Sequence, residues 1–211
     1  MRSAAATAAR LRLLAYIAAG LVLGALAALV TVPTARDRLF GPLKVASVGR
    51  ALVGGHFSLV DHTGKRVSDT DFRGKFLLVM FGFTYCPDVC PSELQVISAA
   101  LAKLGDKAER IVPLFITVDP ERDTPSQLAS YVQSFDPRLV GLTGTASEIA
   151  AATTAYRVYA RKAADPKSTA GYTMDHSALI YLMGPDGAYR THFAPGVGVD
   201  ALAERLAGEL D

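Results

Sequence analysis

Apolar residues fall along this chain in runs of three kinds, and each kind predicts a different element. Residues 13–32 are twenty consecutive positions without a charge, with side-chain polar atoms only at Tyr16 and Thr31. A helix of that length rises ~30 Å, about the thickness of a bilayer core. Shorter continuous runs follow at 76–81, 111–118 and 178–183, and such runs fit strands buried on both faces. Elsewhere the spacing is helical. Leu94, Ile97, Leu101 and Leu104 place an amphipathic helix over 92–104. Further helices are predicted over 126–135, just behind Pro125, and over 147–156, where Ser147 opens the first turn and Glu148 suits it. A last helix takes 199–210. Residues 57–60 and 65–67 make a hairpin around Asp61-His62-Thr63-Gly64, and 139–142 is a short strand. Residues 188–193 pair back across the turn Gly184-Pro185-Asp186-Gly187.

The order is a hairpin, then three alternating strands and helices, then two strands and a helix. Alternation of this sort predicts a central, largely parallel sheet covered on both faces, and the closing hairpin makes the sheet mixed. The pattern resembles the thioredoxin-like α/β architecture. The expected organisation is a cytoplasmic N-terminus at 1–12, a transmembrane anchor at 13–32, a tether at 33–50 and a folded domain at 51–211. The tether holds Pro33, Gly41, Pro42 and Gly49. A domain of ~160 residues can bury a proper core. The alternative for 13–32 is a cleaved signal peptide, but its apolar core would be shorter, and Thr34-Ala35 is a poor cleavage site.

Composition adds direction. The 211 residues are 50% hydrophobic and 20% charged, which excludes a wholly disordered chain. The net charge of +2 is uneven, because residues 1–38 carry five Arg against Asp37, while the remainder carries 17 basic and 19 acidic residues. A slightly acidic body offers no basic footprint for nucleic acid. Arg2, Arg10 and Arg12 precede the apolar run, so the N-terminus is expected in the cytoplasm and the body across the membrane.

The two cysteines, Cys86 and Cys90, lie four residues apart where a buried strand feeds a helix. The carboxyl end of a sheet strand is where α/β sites form. A helix N-terminus favours thiolate, the form that attacks disulfides or binds metal. A structural disulfide closing so short a loop would contribute only ~2 kcal/mol, against ~4.7 for a hundred-residue loop. Redox or metal chemistry is therefore expected. For metal, two thiolates select Cu(I), Zn(II) or iron-sulfur clusters. They are too few for an all-Cys cluster, and structural zinc takes four protein ligands. Among His56, His62, His176 and His192, His176 stands out. It lies in Asp175-His176-Ser177 directly before a buried strand, behind the polar stretch 161–171, which reads as an exposed, mobile loop. Asp175 could orient the ring from behind. A polar cluster from Asp119 to Pro125 ends the second buried strand on the same sheet edge. Asp123 or Thr124 is expected to cap the next helix; the alternative is that the cluster, Asp119 above all, shapes the site or docks a partner.

Five ordered segments carry a resemblance: Thr84-Tyr85-Cys86-Pro87-Asp88-Val89-Cys90-Pro91, Val118-Asp119-Pro120-Glu121-Arg122-Asp123-Thr124-Pro125, Leu139-Val140-Gly141-Leu142-Thr143-Gly144, Asp175-His176-Ser177 and Gly184-Pro185-Asp186-Gly187. Together they resemble the Sco/SenC family of copper chaperones for cytochrome c oxidase assembly, from about residue 54 to residue 210. The resemblance implies a thioredoxin-like fold and one copper, Cu(I) or Cu(II), bound by Cys86, Cys90 and His176. It implies thiols that cycle between reduced and disulfide forms. The implied partner is cytochrome c oxidase subunit II, whose CuA centre would receive copper, have its cysteines reduced, or both. A copper donor and a thiol reductant are implied as well. Tyr85 stands where some relatives have His, which removes one donor there. The expected location is a bacterial inner membrane with the body in the periplasm, or a mitochondrial inner membrane facing the intermembrane space. The rival reading is a tethered thiol-disulfide reductase or thiol peroxidase that uses the same cysteines without needing His176. A redox or copper sensor acting by protein contact is a third class.

Overall fold

The computed structural model describes residues 14–21, 23–24, 53–168 and 170–211. The chain divides into two units, Met1–Arg50 and Ala51–Asp211. In the first, residues 14–21 and 23–24 are helical, and Leu14, Tyr16, Ile17, Leu21 and Leu23 are exposed. The rest of the span expected at 13–32, and the tether expected at 33–50, lie outside the described residues. Among those described, no helix is long and apolar enough to cross a membrane.

The second unit is a seven-stranded mixed sheet of order β2-β1-β5-β4-β3-β8-β9. Its strands are β1 Ser58–Asp61, β2 Arg66–Ser68, β3 Phe76–Gly82, β4 Ile111–Thr117, β5 Val140–Thr143, β8 Ile180–Met183 and β9 Tyr189–Phe193. β3, β4 and β5 run parallel, and β1 and β8 join them antiparallel. Every residue of β3 is buried, as its unbroken apolar run requires of a strand covered on both sides. Alternation then sorts the side chains. Leu78 and Met80 face a core layer shared with helices α1 Val89–Leu104, α2 Pro125–Val132 and α4 Val199–Leu210. Leu77, Val79 and Phe81 face the other layer, with helix α3 Ala146–Ala155 and Tyr156. This is a thioredoxin-like α/β fold.

Two helix starts and one loop differ from expectation for local reasons. Helix α1 begins at Val89 rather than residue 92, because Pro91 falls in the first turn, where no backbone bond is lost. Helix α3 is capped by Thr145, not opened by Ser147, because Thr145 and Glu148 close a capping box. The stretch 161–171 is not simply a loop. β6 Ala160–Ala164 and β7 Tyr172–His176 form a separate two-stranded hairpin, and no residue of either strand is fully buried, so no apolar alternation announces it.

Candidate metal centre

The site forms at the carboxyl edge of the sheet. The register that pairs Gly82 with Thr117 brings the ends of β3 and β4 level, so the cysteine loop and the loop from Asp119 to Thr124 emerge side by side. Asp123 locks them together. It is fully buried, and its carboxylate accepts from the Thr84 N–H at 3.0 Å and from the Thr84 and Thr117 hydroxyls at 2.6 Å. Burial pushes its carboxyl above the usual range, and the three hydrogen bonds partly offset that. Thr124 alone takes the capping role, accepting from the Gln127 N–H at 3.2 Å.

The helix treats its two cysteines differently. Cys90, the second residue of α1, is fully buried in the core layer beneath the sheet. Gly82 makes room for it, since a Cβ there would lie 2.8 Å from Cys90 Sγ and 2.6 Å from the Phe115 ring. Cys86 lies ahead of the helix and is half-buried. Its Sγ accepts from the Cys90 N–H at 3.4 Å. A hydrogen bond from the Cys90 thiol, aided by backbone N–H groups of Cys90 and Asp88, brings the Cys86 thiol down to about 5 against the resistance of burial. The same pairing, together with burial, pushes the Cys90 thiol up. The reduced pair is therefore one thiolate, at Cys86, and one thiol, at Cys90. Both cysteines are free.

His176 ends β7, paired with Ala160. Its Nδ1 stands 3.0 Å from the Ser177 carbonyl oxygen, which can only accept, so the proton sits on Nδ1. The bare Nε2 faces Cys90 Sγ at 3.8 Å. The Phe83 ring steadies the imidazole edge-on, at 5.8 Å. Bonds from a first-row metal to thiolate and to imidazole run ~2.3 and ~2.0 Å. Two donors at this separation can therefore share one ion. Among the described residues, no three His, Cys, Asp or Glu side chains are gathered closely enough to hold a metal as they stand.

The expected partners behind the ring are rearranged. Asp175 is exposed while His176 is half-buried. Successive side chains of a strand point to opposite faces, so neighbours on β7 cannot serve one another. The Ser177 carbonyl does what was expected of Asp175. Asp119 is buried and binds the Arg122 Nε–H and the Tyr172 O–H, not a cysteine or His176. His56 pairs with Asp69, His62 accepts from the Gly141 N–H and His192 meets Tyr189, all apart from this edge. Tyr172 and Phe83 escape sequence reasoning as parts of the site, and Arg122 and Asp123 enter it only as members of a polar cluster, without individual roles in the site. Beside Cys86 lies a cavity of about 390 Å³ lined by Phe83, Tyr85, Pro87, Arg122, Lys167 and Tyr172.

Residues 45–211 match the SCO1/SenC family. The chain is 48% identical over 166 residues to protein sco1 of Schizosaccharomyces pombe, covering 77% of this chain and 61% of that protein. It is 43% identical over 166 residues to the human mitochondrial SCO1 homolog, covering 77% of this chain and 54% of that one. The match thus spans somewhat over half the length of these curated relatives. Among solved structures, the crystal structure of Arabidopsis thaliana ScoI with copper bound is similar at a TM-score of 0.71 and 42% identity, over 75% of this chain and 98% of that one. Likeness that reaches the last helix at 42–48% identity goes well beyond a shared fold; the chain belongs to the SCO1/SenC family.

Proposed function

We propose that this protein is a membrane-tethered copper chaperone that helps assemble the CuA centre of cytochrome c oxidase subunit II. One copper ion is its cargo, and Cys86, Cys90 and His176 hold it. The observation that carries this reading is the His176 ring, fixed at Nδ1 by a carbonyl and presenting a bare Nε2 3.8 Å from Cys90 Sγ. Two thiolates and an imidazole suit copper in either oxidation state. The copper bound in Arabidopsis ScoI supports the same reading.

The residues divide the work. Cys86 is already a thiolate at neutral pH and makes the first bond. Cys90 gives up its proton as the metal arrives, so uptake is coupled to proton release. Cys86 turns from the Cys90 N–H towards His176 to complete the set. Being half-exposed, Cys86 is also where a partner's thiolate enters to take the ion by ligand exchange. The anchor over 13–32 keeps the body close to a membrane-bound target, in the periplasm or the intermembrane space, and raises its effective concentration. A copper donor and a thiol reductant must charge the site, since a disulfide offers no thiolate.

One observation favours a second reading. A half-exposed thiolate backed by a buried thiol is equipped to reduce a disulfide. Cys86 would attack the target disulfide, Cys90 would displace the mixed disulfide, and two electrons would pass to the target's cysteines. The test mixes reduced full-length chain, charged with isotope-enriched Cu(I), with the copper-free CuA domain of subunit II. Labelled copper appearing in the target, and lost with Cys86→Ala or Cys90→Ala, is the expected result. Target reduction without metal transfer, indifferent to His176→Ala, would replace chaperone by reductase. Absence of both metal transfer and target reduction would end both readings.

A further inference from the structure

Hairpin β6–β7 carries His176 but shares no ladder with the main sheet. Ala160 and Met174 pack against the core layer, and between the hairpin and the cysteine loop Arg122 touches both. Its guanidinium centre lies 4.1 Å from the ring of Tyr172, at the start of β7, and 4.9 Å from the ring of Tyr85, next to Cys86. Phe83, whose ring edge meets His176, lies 5.7 Å from the same centre. The guanidinium is held in this sandwich from behind. Its Nε donates to the buried Asp119 carboxylate, whose other oxygen accepts the Tyr172 O–H at 3.0 Å, and its Nη1 reaches the Tyr172 carbonyl at 3.4 Å. Lys162 closes the outer face, paired with Glu121 at 2.5 Å and lying 4.5 Å over the Tyr172 ring. Nη2 is buried without a hydrogen-bond partner among the described residues.

We propose that Arg122 is the positioning residue of the site: it clamps the His176 hairpin to the cysteine loop and so sets the separation between His176 Nε2 and the sulfurs. The proposal rests on the copper reading above. It needs arginine rather than any cation. A lysine keeps the charge beside Asp119, but it cannot lie flat between two rings while donating to a carboxylate and a carbonyl.

The test uses the full chain with Arg122→Gln, Arg122→Lys and Tyr172→Phe. In the metal-free protein, amide hydrogen exchange in β6–β7 is expected to quicken about tenfold in Arg122→Gln, with β3 and β4 unchanged. Arg122→Lys should behave like Arg122→Gln, and Tyr172→Phe, which keeps the ring but loses the bond to Asp119, should quicken hairpin exchange less than either. Cu(II) affinity should fall about 10- to 100-fold in both Arg122 variants. Cu(I) affinity should stay within about twofold, because two thiolates suffice for that ion. Unchanged hairpin exchange with an unchanged Cu(II)-to-Cu(I) affinity ratio would overturn the clamp. So would a parallel loss of both affinities with faster exchange throughout, which marks a general fold support. If the wild type bound no copper, the copper reading would fall while the exchange measurement still judged the clamp.

Discussion

Cys86 and Cys90 differ because one stands before a helix and the other within it. Cys86 accepts a hydrogen bond from the Cys90 thiol and, with smaller effect, from the N–H groups that the helix start leaves unpaired, and these stabilise its negative charge. Cys90 is sealed under the sheet, where a second negative charge beside the first is disfavoured. With its thiol down at about 5, Cys86 keeps its thiolate at any pH above that value and loses it by protonation only below. Alkylation of the reduced protein by iodoacetamide should therefore modify Cys86 alone. Its rate should rise about tenfold per pH unit below about 5 and level off by about 6. A rate still climbing at pH 8 would show an ordinary thiol. The residues legible in the sequence were those whose type is rare and whose chemistry is narrow: two cysteines and one histidine before a buried strand. Asp123 and Arg122 were not, because Asp, Arg and Thr in a polar loop read equally well as turn and cap residues. Which of them turns inward is decided by the facing strand end, and a linear sequence does not display that. Asp175 misled for a related reason, since adjacency in sequence becomes opposition once the segment is a strand.

At the scale of elements, β3 and α1 act as one device. The strand delivers the cysteine loop to the sheet edge, and its last residue, Gly82, leaves the space that Cys90 Sγ fills. Gly82→Ala would force a methyl group into contact with that sulfur and the Phe115 ring. Overpacking of this kind costs about 1–3 kcal/mol. The variant should unfold at correspondingly lower denaturant and bind copper more weakly than that loss alone requires, since Cys90 is displaced. Unchanged copper affinity in a folded Gly82→Ala protein would show that the sulfur's seat does not matter. Most elements were readable because burial writes a period: continuous runs for β3 and β4, helical spacing for α1, alternating order for the sheet. The β6–β7 hairpin left no such mark, because none of its residues is fully buried; only Ala160 and Met174 pack against the core, and Arg122, Asp119 and Tyr172 hold it from outside.

Over the whole molecule, charge and apolar length divide the sequence into an Arg-bearing N-terminal part and a near-neutral body, and the site sits on the body alone. Its parts come from three stretches widely spaced in sequence: the end of β3 with the cysteine loop, the loop after β4, and the hairpin. The parallel sheet gathers the first two at one edge because β3 and β4 both end there, and the separate hairpin is laid against that edge. The central claim is that this edge holds one copper through Cys86, Cys90 and His176. The most direct test is the stoichiometry, absorption and paramagnetic resonance of the Cu(II)-loaded full chain beside Cys86→Ala, Cys90→Ala and His176→Ala. The account predicts about one copper per chain, with thiolate charge-transfer absorption lost in either cysteine variant. It also predicts that nitrogen hyperfine coupling disappears in His176→Ala while Cu(I) still binds. An unaltered Cu(II) spectrum in His176→Ala would contradict it.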